Sequence, residues 1–209
     1  MLVDGQMKRY RNMLALLRGS LLIDADASAL QLPAEDTDAS ADADSGLSKF
    51  RLESHLRDAL ANNALEVRYQ PVLDIARDRV AGYEALVRWE HPTRGAVSPE
   101  EFIRLAEETS LIVPVGEYVL DAACAALDRL RADPMPFVAV NVSARQLEGA
   151  GLMQRLIDRR NALGLPAGCV RIEITESQQL DYEEVARIIA HCHANRVAVS
   201  LDDFGTGYS

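Results

Sequence analysis

Strand-like and helix-like segments alternate along most of this 209-residue chain, and this alternation restricts its fold class. Alternating apolar and polar residues indicate a strand, whereas apolar residues three and four positions apart indicate a helix. Residues 137–142, 170–175 and 197–202 are of the first kind, and helix-like segments near 152–163 and 182–195 separate them. Short turns between such segments predict an α/β fold with a mainly parallel sheet and helices outside. An open doubly wound sheet and a barrel both satisfy this pattern.

The first two strand-like segments, 65–73 and 80–89, are separated by only six residues. Parallel neighbours need a crossover of about a dozen residues or more, so this pair is predicted to be an antiparallel hairpin. An amphipathic helix is predicted before the hairpin, at 47–62, and two more follow it. They cover residues 98–109, with Ser98 as the N-terminal cap, and 115–131.

The formal net charge of −10 is unevenly distributed. Seven acidic residues and no Lys or Arg lie at 24–44, which leaves −3 on the rest of the chain. We predict a disordered acidic linker at 24–46, a short N-terminal segment at 1–23 interpreted as the remnant of an upstream domain, and a globular unit at 47–209. The lack of a basic stripe argues against DNA or RNA as a partner. No stretch reaches the roughly 20 apolar residues of a membrane span.

Three widely spaced cysteines, Cys124, Cys169 and Cys192, are odd in number. This usage argues against a secreted disulfide framework and favours a reducing compartment. The cluster His191-Cys192-His193 has no second ligand group at a suitable spacing, so we interpret it as structural.

Successive strand-like segments each carry an oxygen-bearing side chain that opposes apolar neighbours. Glu84, Asn141 and Glu173 occupy such positions, and Asp202 and Asp203 end the last strand. If the apolar residues face the helices, these side chains converge at the carboxyl ends of the strands, where a β/α barrel places its active site. Clustered carboxylates must take up protons or bind cations, and their oxygens suit Mg²⁺ or Mn²⁺. Adjacent aspartates can divide between two metal ions, the geometry used for phosphate ester hydrolysis.

Five motifs in this order resemble one family. They are Tyr69-Gln70-Pro71, Glu84-Ala85-Leu86, Asn141-Val142-Ser143, Glu173-Ile174-Thr175-Glu176 and Asp202-Asp203-Phe204-Gly205-Thr206-Gly207-Tyr208. Together they resemble the EAL domain family, bacterial phosphodiesterases that hydrolyse cyclic di-GMP to the linear dinucleotide pGpG. The resemblance spans about 47–209 and implies a TIM-like β/α barrel with an antiparallel first strand, in agreement with the predicted hairpin.

The resemblance implies roles for individual residues. The implied ligands of a two-metal Mg²⁺ or Mn²⁺ site are Glu84, Asn141, Glu173 and Asp202, with Asp203 on the second ion. Arg88 resembles the arginine that holds a substrate phosphate, and Gln70 resembles a contact beside the guanine or ribose. Glu176 resembles the anchor of the loop that starts at Phe204. The resemblance also implies cyclic di-GMP as ligand, a bacterial cytoplasmic location and a homodimer through the EAL domain.

The family's pattern continues with three more strands than this sequence encodes. Those strands carry a lysine that helps to orient the attacking water, a further acidic residue of the metal site and a glutamine that contacts guanine. No residue of the 209 can be assigned these roles. We therefore expect a partial EAL domain that stops after about five strands and is catalytically incomplete as given.

Two other functions stay open at this point. One is a non-catalytic cyclic di-GMP binding or interaction module, which the missing motifs favour. The other is a different magnesium-dependent TIM-barrel enzyme, such as a lyase, because a fold alone does not fix chemistry.

Overall fold

The computed structural model describes residues 41–147, 150–175 and 182–202. The helices are α1 (Ala41–Ala61), α2 (Pro99–Glu108), α3 (Ile112–Leu130), α4 (Ala144–Leu147), α5 (Ala150–Ala162) and α6 (Tyr182–Ala194). The strands are β1 (Leu65–Asp74), β2 (Arg79–His91), β3 (Gly95–Val97), β4 (Phe137–Asn141), β5 (Val170–Thr175) and β6 (Ala198–Asp202). Every strand and helix predicted from the sequence has a counterpart here.

The strands form a six-stranded sheet in the order β1-β2-β4-β5-β6, with β3 paired to β2 outside this path. β1 and β2 are antiparallel, so the predicted hairpin is confirmed. The steps from β2 to β4, β4 to β5 and β5 to β6 are all parallel. Within the described residues the sheet does not close on itself. The architecture is that of an open, incomplete β/α barrel whose first strand runs antiparallel.

The two faces of the sheet differ as the alternation in the sequence predicts. On β5, Ile172 and Ile174 are each 1% exposed and join the core, whereas Arg171 and Glu173 face the other way. β4 is buried at three successive residues, Val138, Ala139 and Val140, and only its last residue, Asn141, is exposed. Burial of each such apolar side chain contributes about 1.5–3 kcal/mol, which holds the strands in this register against the helices.

Helix α1 is tied to the sheet by two histidines. His91 of β2 is buried, and its Nδ1 accepts hydrogen bonds from the backbone N–H groups of Thr93 and Arg94, both at 3.2 Å. The proton therefore lies on Nε2, which donates to Nδ1 of His55 on α1 at 2.8 Å. This bond fixes the first helix of the globular unit over the hairpin.

Three local features differ from the expectation. Helix α1 begins at Ala41, six residues before the predicted start. The short strand β3 and helix α4 have no counterpart among the predicted elements. Ser98 does precede α2, but its side chain makes no capping hydrogen bond.

Most of the N-terminal region for which predictions were made is not among the described residues. The segment 1–23 and residues 24–40 of the predicted linker lie outside the described residues. Among the described helices, none has the length and apolar character needed to cross a membrane.

Gly82 offers a test of how closely the sheet is packed. A Cβ built on Gly82 would lie 2.5 Å from three ring atoms of Phe137 on the neighbouring strand. Gly82→Ala should therefore lower the free energy of unfolding by about 1–3 kcal/mol, measured by urea denaturation.

Gly151→Ala is the matched control, because a Cβ at Gly151 on α5 would meet nothing within 4 Å. Alanine is the better helix former, so this change should raise stability by up to about 1 kcal/mol. Equal effects of the two substitutions would contradict the packing described here.

Candidate functional site

Glu84, Asn141 and Glu173, three of the side chains predicted to converge, lie on the face of the sheet opposite the core residues Ile172 and Ile174. The strand register places Gln70 of β1 opposite Glu84 of β2. On the other side, Asn141 of β4 lies opposite Glu173 of β5. These positions lie toward the carboxyl ends of the parallel strands, where β/α barrels build their active sites. Three neighbouring parallel strands therefore present oxygen-bearing side chains at one end of the sheet.

Hydrogen bonds orient these side chains. The Asn141 amide donates from Nδ2 to Oε1 of Glu84 at 2.7 Å, which joins β2 and β4 through their side chains. The hydroxyl of Ser200 on β6 donates to Oε1 of Glu173 at 3.2 Å. Because Asn141 uses its amide nitrogen as donor, its amide oxygen is the atom left to act as a ligand.

The donor chemistry of this set fits a hard divalent cation. Glu84 and Glu173 supply carboxylate oxygens and Asn141 an amide oxygen, and such ligands suit Mg²⁺ or Mn²⁺. Within the described part of the chain, no three residues drawn from His, Cys, Asp and Glu come together to hold a metal ion. The candidate ligands among the described residues are therefore two carboxylates, Glu84 and Glu173, and one amide, Asn141.

Three other predicted site residues lie at the end of a described range or outside the described ranges. Asp202 is the last residue of β6, and its backbone pairs with Thr175 of β5. Asp203 and Glu176 lie outside the described residues. Their implied roles stay predictions.

Arg88 and Gln70, the predicted substrate contacts, lie on the two strands of the hairpin. Arg88 is half-buried on β2, and its Nη1 donates to the carbonyl of Val87 at 3.0 Å. It lines a cavity of about 200 Å³ together with Asn141, Ser143 and mostly apolar residues of α2 and α3, such as Ile103 and Val119. This volume is below the roughly 300–1,000 Å³ of a ligand pocket, so the cavity suits one part of a ligand rather than a whole dinucleotide. Gln70 is exposed on the hairpin edge.

Two residues with polar contacts near this site were missed in the sequence. Ser200, which bonds Glu173, is a small polar residue at an alternate position of an apolar strand. Gln146 follows Ser143 by three residues, and this spacing is the signature of a capping box at a helix start. Both signals are local, and neither reveals its partner on another element.

The cysteines are not equipped for nucleophilic chemistry. All three thiols are buried, and burial raises the pKa of each, that of Cys124 to about 12. A nucleophilic cysteine needs the opposite shift, since the thiolate is the reactive form. In the triplet on α6, Cys192 packs in the core while His191 and His193 are exposed.

The part of the chain that carries these site residues also matches a known protein family. The family model of the EAL domain matches residues 53–209, which is most of the chain. It includes every strand of the sheet and all the site residues discussed above.

Two curated relatives from Pseudomonas aeruginosa carry the phosphodiesterase name. The bifunctional diguanylate cyclase/cyclic di-GMP phosphodiesterase MucR is 41% identical over 169 residues, covering 77% of this chain and 24% of MucR. The cyclic di-GMP phosphodiesterase NbdA is 36% identical over 170 residues, covering 77% of this chain and 21% of NbdA. The chain thus spans about a quarter or less of either protein.

Solved structures give the same fold. The MucR phosphodiesterase in complex with c-di-GMP matches with a TM-score of 0.70 and 38% identity, over 76% of this chain and 66% of that one. The Xanthomonas citri FimX EAL domain in complex with c-diGMP matches with a TM-score of 0.69 over 79% of this chain and 65% of that one. At 23% identity the second likeness bears on the fold alone.

Two serines at the site should respond oppositely to substitution by alanine. The Oγ atom of Ser143 is buried and makes no hydrogen bond within the described structure. Ser143→Ala removes a buried polar group without a partner, so it should raise the free energy of unfolding by about 1 kcal/mol. Ser200→Ala breaks the bond to Glu173 and should lower it by about 0.5–1.5 kcal/mol. Urea denaturation measures both, and a loss of stability in Ser143→Ala would contradict this description of the site.

Proposed function

Since this chain belongs to the EAL domain family, we propose that it forms part of a metal-dependent phosphodiesterase that hydrolyses cyclic di-GMP to pGpG. Phosphodiesterases of this family are metal-dependent. MucR and NbdA carry the phosphodiesterase name, and MucR has been solved with c-di-GMP bound. A cytoplasmic location and a homodimer through the EAL domain are parts of the proposal that follow from the family alone.

One observation supports the proposal above the rest. Glu84, Asn141 and Glu173 come from three neighbouring strands, and the bond between Asn141 and Glu84 orients two of them toward each other. Oxygen donors presented together on the polar face of a sheet suit a cation better than an apolar core. Asp202 and Asp203 would complete the ligand set from the next strand.

In this proposal, some residues of the chain bind the metal and others bind the substrate. Glu84, Asn141, Glu173 and Asp202 would hold Mg²⁺ or Mn²⁺, and Asp203 a second ion. Bound metal of this kind lowers the pKa of a water molecule and stabilises charge on a phosphoryl oxygen. Arg88 can offer two parallel N–H groups to a phosphate of cyclic di-GMP. Gln70, at the exposed edge of the hairpin, would contact the guanine or ribose.

The test compares this chain with a version extended through the family's lysine-bearing strands. Conversion of cyclic di-GMP to pGpG is measured in Mg²⁺ and in Mn²⁺. We expect turnover in the extended chain and none in the 209-residue chain. Glu84→Gln in the extended chain should abolish turnover, because it keeps the acceptor for Asn141 but removes the charge that balances the metal.

Arg88→Ala should act on binding rather than on the metal. Loss of a charged hydrogen bond to phosphate should weaken cyclic di-GMP binding by about 1.5–3 kcal/mol in a titration calorimetry experiment. Arg51→Ala, an exposed arginine on α1, is the matched control and should change neither binding nor turnover. Full turnover in Glu84→Gln would contradict the metal assignment, and turnover by the 209-residue chain would contradict the stated need for the lysine.

A further inference from the structure

Gln146 is a buried polar residue with both ends of its side chain engaged. It is 5% exposed, on the short helix α4 that directly follows β4. Its Oε1 accepts a hydrogen bond from the backbone N–H of Ser143 at 2.8 Å. Its Nε2 donates to the backbone carbonyl of Ile112, the first residue of α3, at 2.7 Å. A single side chain thus joins the turn after β4 to the start of a neighbouring helix.

The space that Gln146 occupies depends on a glycine in α3. A Cβ at Gly116 would lie 1.8 Å from Nε2 of Gln146, so no other residue at this position leaves the amide where it is. Glycine in a helix interior costs about 1 kcal/mol relative to alanine. The helix therefore carries a residue that is unfavourable for its own stability and that the Gln146 amide requires.

The turn held by Gln146 is the one that follows Asn141. From the sheet side, the N–H of Val142 donates to the carbonyl of Glu173 at 2.9 Å. From the helix side, Gln146 holds the N–H of Ser143. The backbone leaving Asn141 is thereby fixed at two successive residues, and the Asn141 amide meets Oε1 of Glu84.

We propose that Gln146 is a positioning residue for the metal site, and that it acts on Asn141 through the backbone of Ser143. This rests on the proposed function, in which Asn141 is a metal ligand. Residues that orient a metal ligand typically change metal affinity by 10–100-fold when removed. Gln146 does not touch the reacting groups, so its effect is expected in ligand geometry and metal affinity.

Gln146→Leu tests the proposal, because leucine keeps a similar volume and makes neither hydrogen bond. In the 209-residue chain it should weaken Mn²⁺ binding by about 10–100-fold, measured by titration calorimetry. In the metal-free chain, the NMR signals of the Asn141 side-chain amide should move, because its bond to Glu84 is altered. Leu127→Ala is the control, since Leu127 is fully buried near the far end of α3, fifteen residues beyond Ile112. It should destabilise the chain and leave both readouts unchanged in the folded protein.

Gly116→Ala gives a second, independent arm should the leucine variant not fold. In the otherwise unchanged chain the added methyl group must displace the Gln146 amide, so both readouts should change as in Gln146→Leu. In a Gln146→Ala background the space is free, so Gly116→Ala should have no further effect on either readout. Additive effects of the two substitutions would overturn the proposal.

Mn²⁺ affinity and the Asn141 amide signals together distinguish failure of the positioning role from failure of the proposed function. If the unchanged chain binds no Mn²⁺, the proposed function is contradicted, while the Asn141 amide signals still decide whether Gln146 positions that residue. Asn141 signals that are the same in the unchanged chain and in Gln146→Leu would overturn the positioning role, whatever the metal affinity.

Discussion

The division of each strand between an apolar and a polar face is the constraint on which the rest of this structure depends. Side chains of a strand alternate between two faces, so a shift of one residue in register would expose Ile172 and Ile174 and bury Arg171 and Glu173. Burial of an unpaired carboxylate costs far more than burial of an isoleucine contributes. The core that holds the helices therefore also fixes the direction in which the site residues face.

The site is stabilised by hydrogen bonds that cross between elements. Asn141 joins β4 to β2, and Ser200 joins β6 to β5 through Glu173. Gln146 adds a connection to α3, outside the sheet, which fixes the turn at the end of β4. These hydrogen bonds hold the side-chain oxygens of Glu84 and Glu173 in place, as the proposed cation site would require of preorganised ligands.

Most strands and helices could be predicted from local patterns in the sequence. The features that could not be predicted, such as β3 and the partner of Gln146, have no local pattern that reveals them. The hairpin could be predicted because six residues cannot make a parallel crossover. Glu84, Asn141 and Glu173 could be grouped because each interrupts an apolar strand on the same face. β3 has only three residues, too few for a period to show, and it exists because Trp89 pairs with Val97 across a turn. Gln146 gave a local capping signal, but its partner Ile112 lies 34 residues away, and only the folded chain brings them together.

The central claim is that oxygen donors from three strands form one cation site. Paramagnetic broadening by substoichiometric Mn²⁺ in the isotope-labelled chain tests it most directly, because the effect falls off steeply with distance from the ion. The account predicts that the side-chain signals of Glu84, Asn141 and Glu173 lose intensity together, before those of exposed acids such as Glu108 on α2. Broadening that begins at Glu108 and leaves Asn141 unaffected would contradict it.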